Sequence, residues 1–458
     1  MDKLFQKLST SQKIALSFLL VILTGSVLLT LPICQTANSQ VTYLDNLFIS
    51  VSAVCVTGLW TESIYDSYNI LGQIVMVILI QTGGLGLMTI VGSIYHSMGQ
   101  SFGLKNQIAM GEAINSSERT HLGSFLSRII KYTAVIESTG ALLLTFFFVP
   151  LLGFKKGIWN SIFTAVSAFC NAGFDAIGNN SFVDYQTVPI LNWTVMALIV
   201  LGGIGFSVWF DVAQQWGHFR NKTNGRNIKF YIQHLMPHTK LVLIMTGTVI
   251  LSGVILFLMA EWNNPSTIGN LSVGNKIMTA FFQTITMRTA GFSTVDYTLV
   301  KPVSLLVFVC TMFIGGGPGG TAGGLKVTTF ALTILLAVRE VRQTKYVNFA
   351  HRTVPDAIMR SAFTIALMYI LTLLIGSGLL LTFDPEAGYL KLLFETISAL
   401  ATVGVSAGLT PTLSTASHWI LMLLMYMGRI GPMTMIMSLG KKSKIYDVRY
   451  SETDIIIG

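Results

Sequence analysis

The sequence predicts an all-α integral membrane protein built from four helix, pore-segment, helix repeats around one central pore. Three observations predict it: a shortage of charge, a series of long apolar runs, and a short motif that recurs four times at nearly constant spacing. Of 458 residues only 11% are Asp, Glu, Lys or Arg, and 52% are hydrophobic, whereas a soluble globular chain carries roughly 25% charged residues. The apolar residues are gathered in uninterrupted runs, which excludes a disordered chain, a collagen and an ordinary soluble enzyme. A net charge of +9 does not call for nucleic acid, because a polytopic membrane protein reaches it by placing Lys and Arg in loops on one side of the bilayer.

With about 20 apolar residues per crossing, eight spans are predicted, at residues 14–33, 70–95, 129–152, 188–212, 239–260, 302–338, 356–382 and 416–438. The first follows a basic stretch and ends at Leu31-Pro32-Ile33-Cys34, which faintly resembles a lipoprotein cleavage box. Its length exceeds a signal-peptide core and the Pro and bulky Ile do not suit cleavage, so it reads as a span. The sixth is too long for one helix. It is interrupted by Gly315, Gly316, Gly317, Pro318, Gly319, Gly320, Thr321, Ala322, Gly323 and Gly324, which cannot propagate a helix, so a broken span with a mobile loop across the pore is expected. Cys34, Cys55, Cys170 and Cys310 lie in or beside apolar stretches without metal spacing and read as buried small hydrophobes.

Between the odd-numbered and even-numbered spans lie four shorter segments that align without gaps. Residues 48–59 read FISVSAVCVTGL, 163–174 FTAVSAFCNAGF, 281–292 FFQTITMRTAGF and 394–405 FETISALATVGV. Their glycines, Gly58, Gly173, Gly291 and Gly404, are 115, 118 and 113 residues apart, so the chain is a fourfold repeat. A second landmark follows each glycine by 24 to 29 residues: Gly83-Gly84-Leu85-Gly86, Gly202-Gly203-Ile204-Gly205, Gly316-Gly317-Pro318-Gly319 and Gly428-Arg429-Ile430-Gly431. The expected units are 1–100, 101–214, 215–340 with a broken second helix, and 341–440, followed by a tail at 441–458.

Charge placement orients the repeats. The termini and repeat junctions carry a net +12, and the opposite side carries a net −5 that includes Asp175 and Asp296. The positive-inside rule then puts both termini and the repeat junctions in the cytoplasm, with the short segments entering from outside. Four helices that stop at a glycine at mid-depth would leave free carbonyls around one axis. Such a ring can replace the hydration shell of a permeating cation. Val56, Thr57 and Gly58, then Asn171, Ala172 and Gly173, then Thr289, Ala290 and Gly291, then Thr402, Val403 and Gly404 are therefore the candidate ion-binding filter. A helix C-cap is the alternative use of any one of these glycines.

These four segments, the broken sixth span and Arg429 in the last resemble the Trk/Ktr/HKT superfamily of potassium transporters over essentially the whole chain, and the KtrB-type membrane subunit most. The resemblance implies a potassium-channel-like pseudo-fourfold fold, potassium uptake, one pore per chain and a homodimer. It also implies a separate cytoplasmic nucleotide-binding regulatory ring of the KtrA/KtrC kind, with any nucleotide on that partner and no cofactor in this chain. In plant relatives a serine at the first filter glycine goes with sodium permeation, and Gly58 is glycine here, which favours potassium. A sodium-permeable member of the same fold is the alternative.

The remaining motifs are weaker. Gly315-x-Gly317-x-x-Gly320 satisfies GxGxxG but sits inside an apolar span, and Gly324 is followed by Leu325, so neither a dinucleotide fold nor a Walker A loop fits. His234 and His238 have metal spacing, but Pro237 breaks the helix that would align them. Glu137 reads as a helix-packing group satisfied by Ser138 or Thr139, with a proton site as the alternative. A polytopic membrane enzyme lacks support, since there is no HExxH and Gly376-Ser377-Gly378 is preceded by Ile375. For gating, Arg429 at membrane depth is costly unless hydrogen-bonded. It is expected to bond the loop at 315–324, with Lys326 as a positive barrier below. The apolar tail, ending Ile455-Ile456-Ile457-Gly458, is expected at the dimer interface, and the junctions at 220–240 and 339–352 at the ring.

Overall fold

The computed structural model describes residues 9–37, 39–86, 122–221 and 228–439. The tail at 441–458, with its expected dimer contact, and much of the 96–132 junction lie outside the described residues. Among the described residues the regular structure is helical apart from one small hairpin, Asn348–Phe349 paired antiparallel with Arg352–Thr353, which joins the third repeat to the fourth.

Each repeat has an outer helix, a short helix and an inner helix. The outer helices are Thr10–Thr30, Leu122–Leu152, Pro237–Glu261 and Asp356–Phe383. All contain a stretch long and apolar enough to cross a bilayer unbroken. Local chemistry sets their starts: Ser9 and Gln12 form a capping box at the first, and Pro237 supplies a preset φ at the third. That Pro also separates helix Ile228–His234 from the third outer helix, so His234 and His238 do not share a helix. Leu142, Phe146, Leu251, Met259, Leu374 and Ile375 are more than half exposed on these helices, the apolar surface a lipid-facing helix needs.

The short helices are Tyr43–Cys55, Phe154–Cys170, Val273–Thr286 and Tyr389–Leu400. Their C-terminal halves are largely buried. The recurring Phe of the aligned segments is fully buried in repeats 1, 2 and 4, at Phe48, Phe163 and Phe394, whereas in repeat 3 the in-register Phe281 is only partly buried and its neighbour Phe282 takes the core position. An aromatic side chain thus anchors each short helix in the core, where it contributes the most burial.

The inner helices depart from expectation. The first ends at Leu85, the second at Gly203, the third at Phe313 and the fourth at Ile430. The second resumes at Phe206 after a bend of 98°, and the fourth resumes at Pro432. The fourth and eighth predicted spans are therefore broken as well as the sixth. In repeats 1, 2 and 4 the last glycine of the GGxG-like motif, Gly86, Gly205 and Gly431, has φ of +80°, +99° and +93°. A left-handed residue there ends the helix. Cys310 is exposed rather than buried, on the outward face of the third inner helix.

Candidate ion pathway

The four short helices do not stop at their glycines. They end at Cys55, Cys170, Thr286 and Leu400, and the left-handed residue that follows is Val56, Asn171, Thr289 or Thr402, with φ of 57°, 60°, 71° and 52°. The left-handed residue is thus two before the glycine in all four repeats; it is the C-cap itself in the first two, whereas the caps of the last two are Met287 and Ala401. In repeats 1, 2 and 4 the cap is closed by backbone bonds from Thr57, Ala172 and Val403 N–H groups to the carbonyls of Ser52, Ser167 and Ser398, at 2.8, 2.7 and 2.7 Å. The third repeat has Ile285 at that position, and Ala290 N–H bonds Thr286 O instead.

Gly58, Gly173, Gly291 and Gly404 then have φ of 100°, 71°, 86° and 94°. Left-handed residues two apart turn successive backbone groups towards one side of the chain. Holding Val56, Thr289 and Thr402 there costs about 1–3 kcal/mol apiece, since β-branched residues avoid this region. The buried hydroxyls help to hold it: Ser52 and Ser398 Oγ accept from Gly58 and Gly404 N–H at 3.0 and 3.1 Å. Thr286 and Ser398 hydroxyls donate to Phe292 and Val405 carbonyls at 2.7 and 2.6 Å.

The structure brings all four glycines together. A Cβ on Gly58 would lie 2.5 Å from Ala172 O, one on Gly173 2.5 Å from Gly291 Cα, and one on Gly291 2.8 Å from Val403 O. A Cβ on Gly404 would collide with Thr57 O. The contacts run from repeat 1 to 2, 2 to 3, 3 to 4 and 4 to 1, which is a closed ring. On one side of it lies a cavity of about 310 Å³ floored by the four glycines and lined by Asp175 and Asp296. Partial burial pushes the Asp175 carboxyl up to about 6.

On the other side lies the loop at 315–324, and beyond it a second cavity of about 840 Å³. The loop is fastened rather than slack. Gly315 N–H bonds Leu325 O at 2.9 Å and closes its base. Gly317 and Thr321 N–H groups bond the carbonyls of Gly203 and Gly202 at 2.7 and 3.1 Å, and Phe206 N–H bonds Gly319 O at 3.0 Å. The bend of the second inner helix leaves orphan carbonyls and an orphan N–H, and the loop supplies their partners. The loop reaches three of the four glycine segments. Thr321 Oγ1 bonds Phe169 O at 3.0 Å and lies 3.3 Å from the Asn171 side chain. Gly323 N–H bonds Thr289 Oγ1 at 3.1 Å, and a Cβ on Gly323 would strike Thr402 Oγ1.

Arg429 bonds both the loop and the first repeat. Its guanidinium donates to Thr321 O at 2.6 Å, to Gly84 O at 3.0 Å and to Gly83 O. Three carbonyls around one cation offset much of its desolvation. Lys326 Nζ bonds Ala322 O at 2.5 Å. Tyr369 adds a phenol between Gly324 O and Gly428 O, 3.4 Å from each. Sequence reasoning missed this tyrosine because nothing in an apolar span marks which face a hydroxyl will meet. It also named the wrong partners for Glu137. That carboxylate accepts from Gln81 Nε2 at 3.3 Å and lies 3.9 Å from Cys170 Sγ, while Thr139 bonds its own helix at Val135 O. Side chains three or four apart along a helix share a face, and immediate neighbours do not.

With this geometry in view, the comparisons with known proteins are decisive. The model of the TrkH family, described as cation transport protein, matches residues 5–444. The chain belongs to this family. It is 36% identical to the Ktr system potassium uptake protein B of Vibrio alginolyticus over 97% of its own length and 94% of that protein's. It is 34% identical to the protein of the same name from Bacillus subtilis, over 98% and 96%. It is also 34% identical to the potassium/sodium uptake protein NtpJ of Enterococcus hirae, over 99% and 98%. The crystal structure of the potassium transporter TrkH from Vibrio parahaemolyticus superposes with a TM-score of 0.70 at 18% identity, covering 93% of this chain and 84% of that one. The fold is that of a multi-pass membrane cation transporter.

Proposed function

We propose that the chain is the ion-translocating subunit of a potassium uptake system, with the four glycine segments as its filter and the loop at 315–324 with Arg429 as its gate. The observation that carries this reading is the closed ring of glycines with the loop packed against three of its segments. Backbone groups turned to one side can replace the water around a dehydrated cation, and a loop seated beneath them must move before an ion passes. The names of the relatives support potassium as the ion.

The cavity with Asp175 and Asp296 faces outside in this reading, and both termini are cytoplasmic, as the charge of the junctions requires. The chain works in the cell membrane as a homodimer, with a nucleotide-binding ring on the cytoplasmic junctions. The word system in the relatives' names supports a partner of some kind. A sodium-permeable mode is the second reading, favoured by the potassium/sodium relative at 34% identity. Growth of an uptake-deficient bacterium on limiting potassium, followed by potassium and sodium flux into liposomes holding the purified protein, tests both. Failure to restore growth in a well-expressed strain, with no potassium flux in liposomes, overturns the proposal. Equal potassium and sodium flux selects the second reading.

A further inference from the structure

Three residues before each glycine the repeats carry Cys55, Cys170, Arg288 and Ala401. Three of these are small, and the fourth places a guanidinium behind the glycine ring. Arg288 is 5% exposed. Among the described residues the ion pairs are those of Arg339 with Glu340 and Asp356, so no described carboxylate neutralises Arg288. Its Nη2 donates to Thr246 Oγ1 of the third outer helix at 3.3 Å and to Gly315 O at 3.4 Å, while Nε has no partner. It borders an internal space of about 10 Å³ shared with Asn171, Gly203 and Gly316, too small to admit bulk solvent. The C-terminus of the third short helix, ending at Thr286, supplies the negative end of a dipole that makes a cation tolerable there.

Gly315 is the first residue of the loop, and Thr289, the next residue after Arg288, accepts from the N–H of Gly323, which lies beside Gly315 on the returning arm of the loop. Two adjacent residues of the third glycine segment therefore hold both sides of the loop's base. Thr321, further along the loop, bonds the second segment instead. We infer that Arg288 is a positioning residue for the gate: it clamps the base of the loop to the third glycine segment and to the third outer helix, and so keeps the loop closed. This inference rests on the gate reading. Arg288 does not touch the ion in this account; the residues on either side of Gly291 are held without it, Ala290 by a backbone bond to Thr286 O and Phe292 O by the Thr286 hydroxyl.

The test is potassium and sodium flux into liposomes with the purified full chain. Arg288→Met removes the charge and the donors at similar length, and should raise maximum potassium flux at least threefold while the potassium-to-sodium ratio stays within twofold. Arg288→Lys restores a charged donor and should recover at least half of the closure. Thr246→Val loosens the clamp with the arginine in place, should raise flux more modestly, and carries the test if Arg288→Met does not assemble. In a chain lacking 316–324, Arg288→Met should change nothing further. A fall in selectivity, or an effect that survives loop deletion, would make Arg288 a support of the glycine ring and overturn the inference. Unchanged flux in both Arg288→Met and Thr246→Val would overturn it too, provided loop deletion alone raises flux. If loop deletion alone has no effect, the gate reading fails, and the inference with it.

Discussion

Among the described residues, the cavity on the glycine side is lined by two acids, Asp175 and Asp296, and by no Lys, Arg or His, whereas the cavity beyond the loop is lined by Lys326, Arg429 and His238 and by no acid. Both are bounded by the same repeat, so the backbone is fourfold and the charge is not. Acids need no fixed geometry to concentrate cations, because their field acts through water over several ångströms. The two bases Lys326 and Arg429 sit where carbonyls can bind them, and their donors are spent on Ala322, Thr321, Gly83 and Gly84. In the proposed reading the glycine ring separates two regimes, one that attracts a hydrated cation and one that fastens a loop. The comparison suggests that selectivity, gating and capture can be damaged separately.

The largest effect should come from the ring itself. Gly404→Ser puts a Cβ onto Thr57 O at a residue with φ of 94°, and strain of about 1–3 kcal/mol or more should lower potassium-to-sodium discrimination by about tenfold, where 1.4 kcal/mol is one factor of ten. Gly291→Ser, whose nearest obstacle would be 2.7 Å away, should be milder. Flux ratios in liposomes check both, and a serine variant with wild-type selectivity would remove that glycine from the filter.

Next in size is the loop. Deleting 316–324 should raise maximum flux severalfold, and Arg429→Ala should do so less, since bonds to Gly203 and Gly202 remain. Each hydrogen bond to a charged group contributes about 1.5–3 kcal/mol. Ion preference should hold in both; lost selectivity would assign the loop to the filter, and unchanged flux in a well-expressed deletion would sink the gate.

Smaller effects belong to the acidic cavity. Neutralising Asp175 and Asp296 together should weaken apparent potassium affinity more at low than at high ionic strength, because exposed charges are screened beyond about 10 Å at 0.1 M salt. An equal change at both would argue against electrostatic capture. The smallest is a pH effect. With the Asp175 carboxyl raised to about 6, it is charged at pH 7 and largely neutral at pH 5, so acidifying the glycine-side solution should weaken apparent affinity. Asp175→Asn should abolish that dependence, and a pH response that survives the substitution would point to another group.

What the sequence determined by itself was whatever repeats. Lack of charge required a membrane, and the Phe and Gly landmarks in four copies located the short helices and the residues that converge. The position of each turn was less legible. Val56, Thr289 and Thr402 are left-handed although β-branched, a conformation that propensity argues against and that the bonds back to Ser52, Thr286 and Ser398, with the buried hydroxyls beside them, help to sustain. Breaks in the second and fourth inner helices were written in Gly205 and Gly431, but a glycine in an apolar span tolerates a helix as readily as it ends one. Tertiary structure alone decided what was not repeated: that the bend at 202–205 receives the loop at 315–324, that Glu137 meets Gln81, and that Arg288 reaches Gly315 O. Each of these joins residues from different repeats or distant parts of one repeat. Periodicity fixes which face of a helix a residue occupies, whereas the partner across that face depends on how separately formed helices pack.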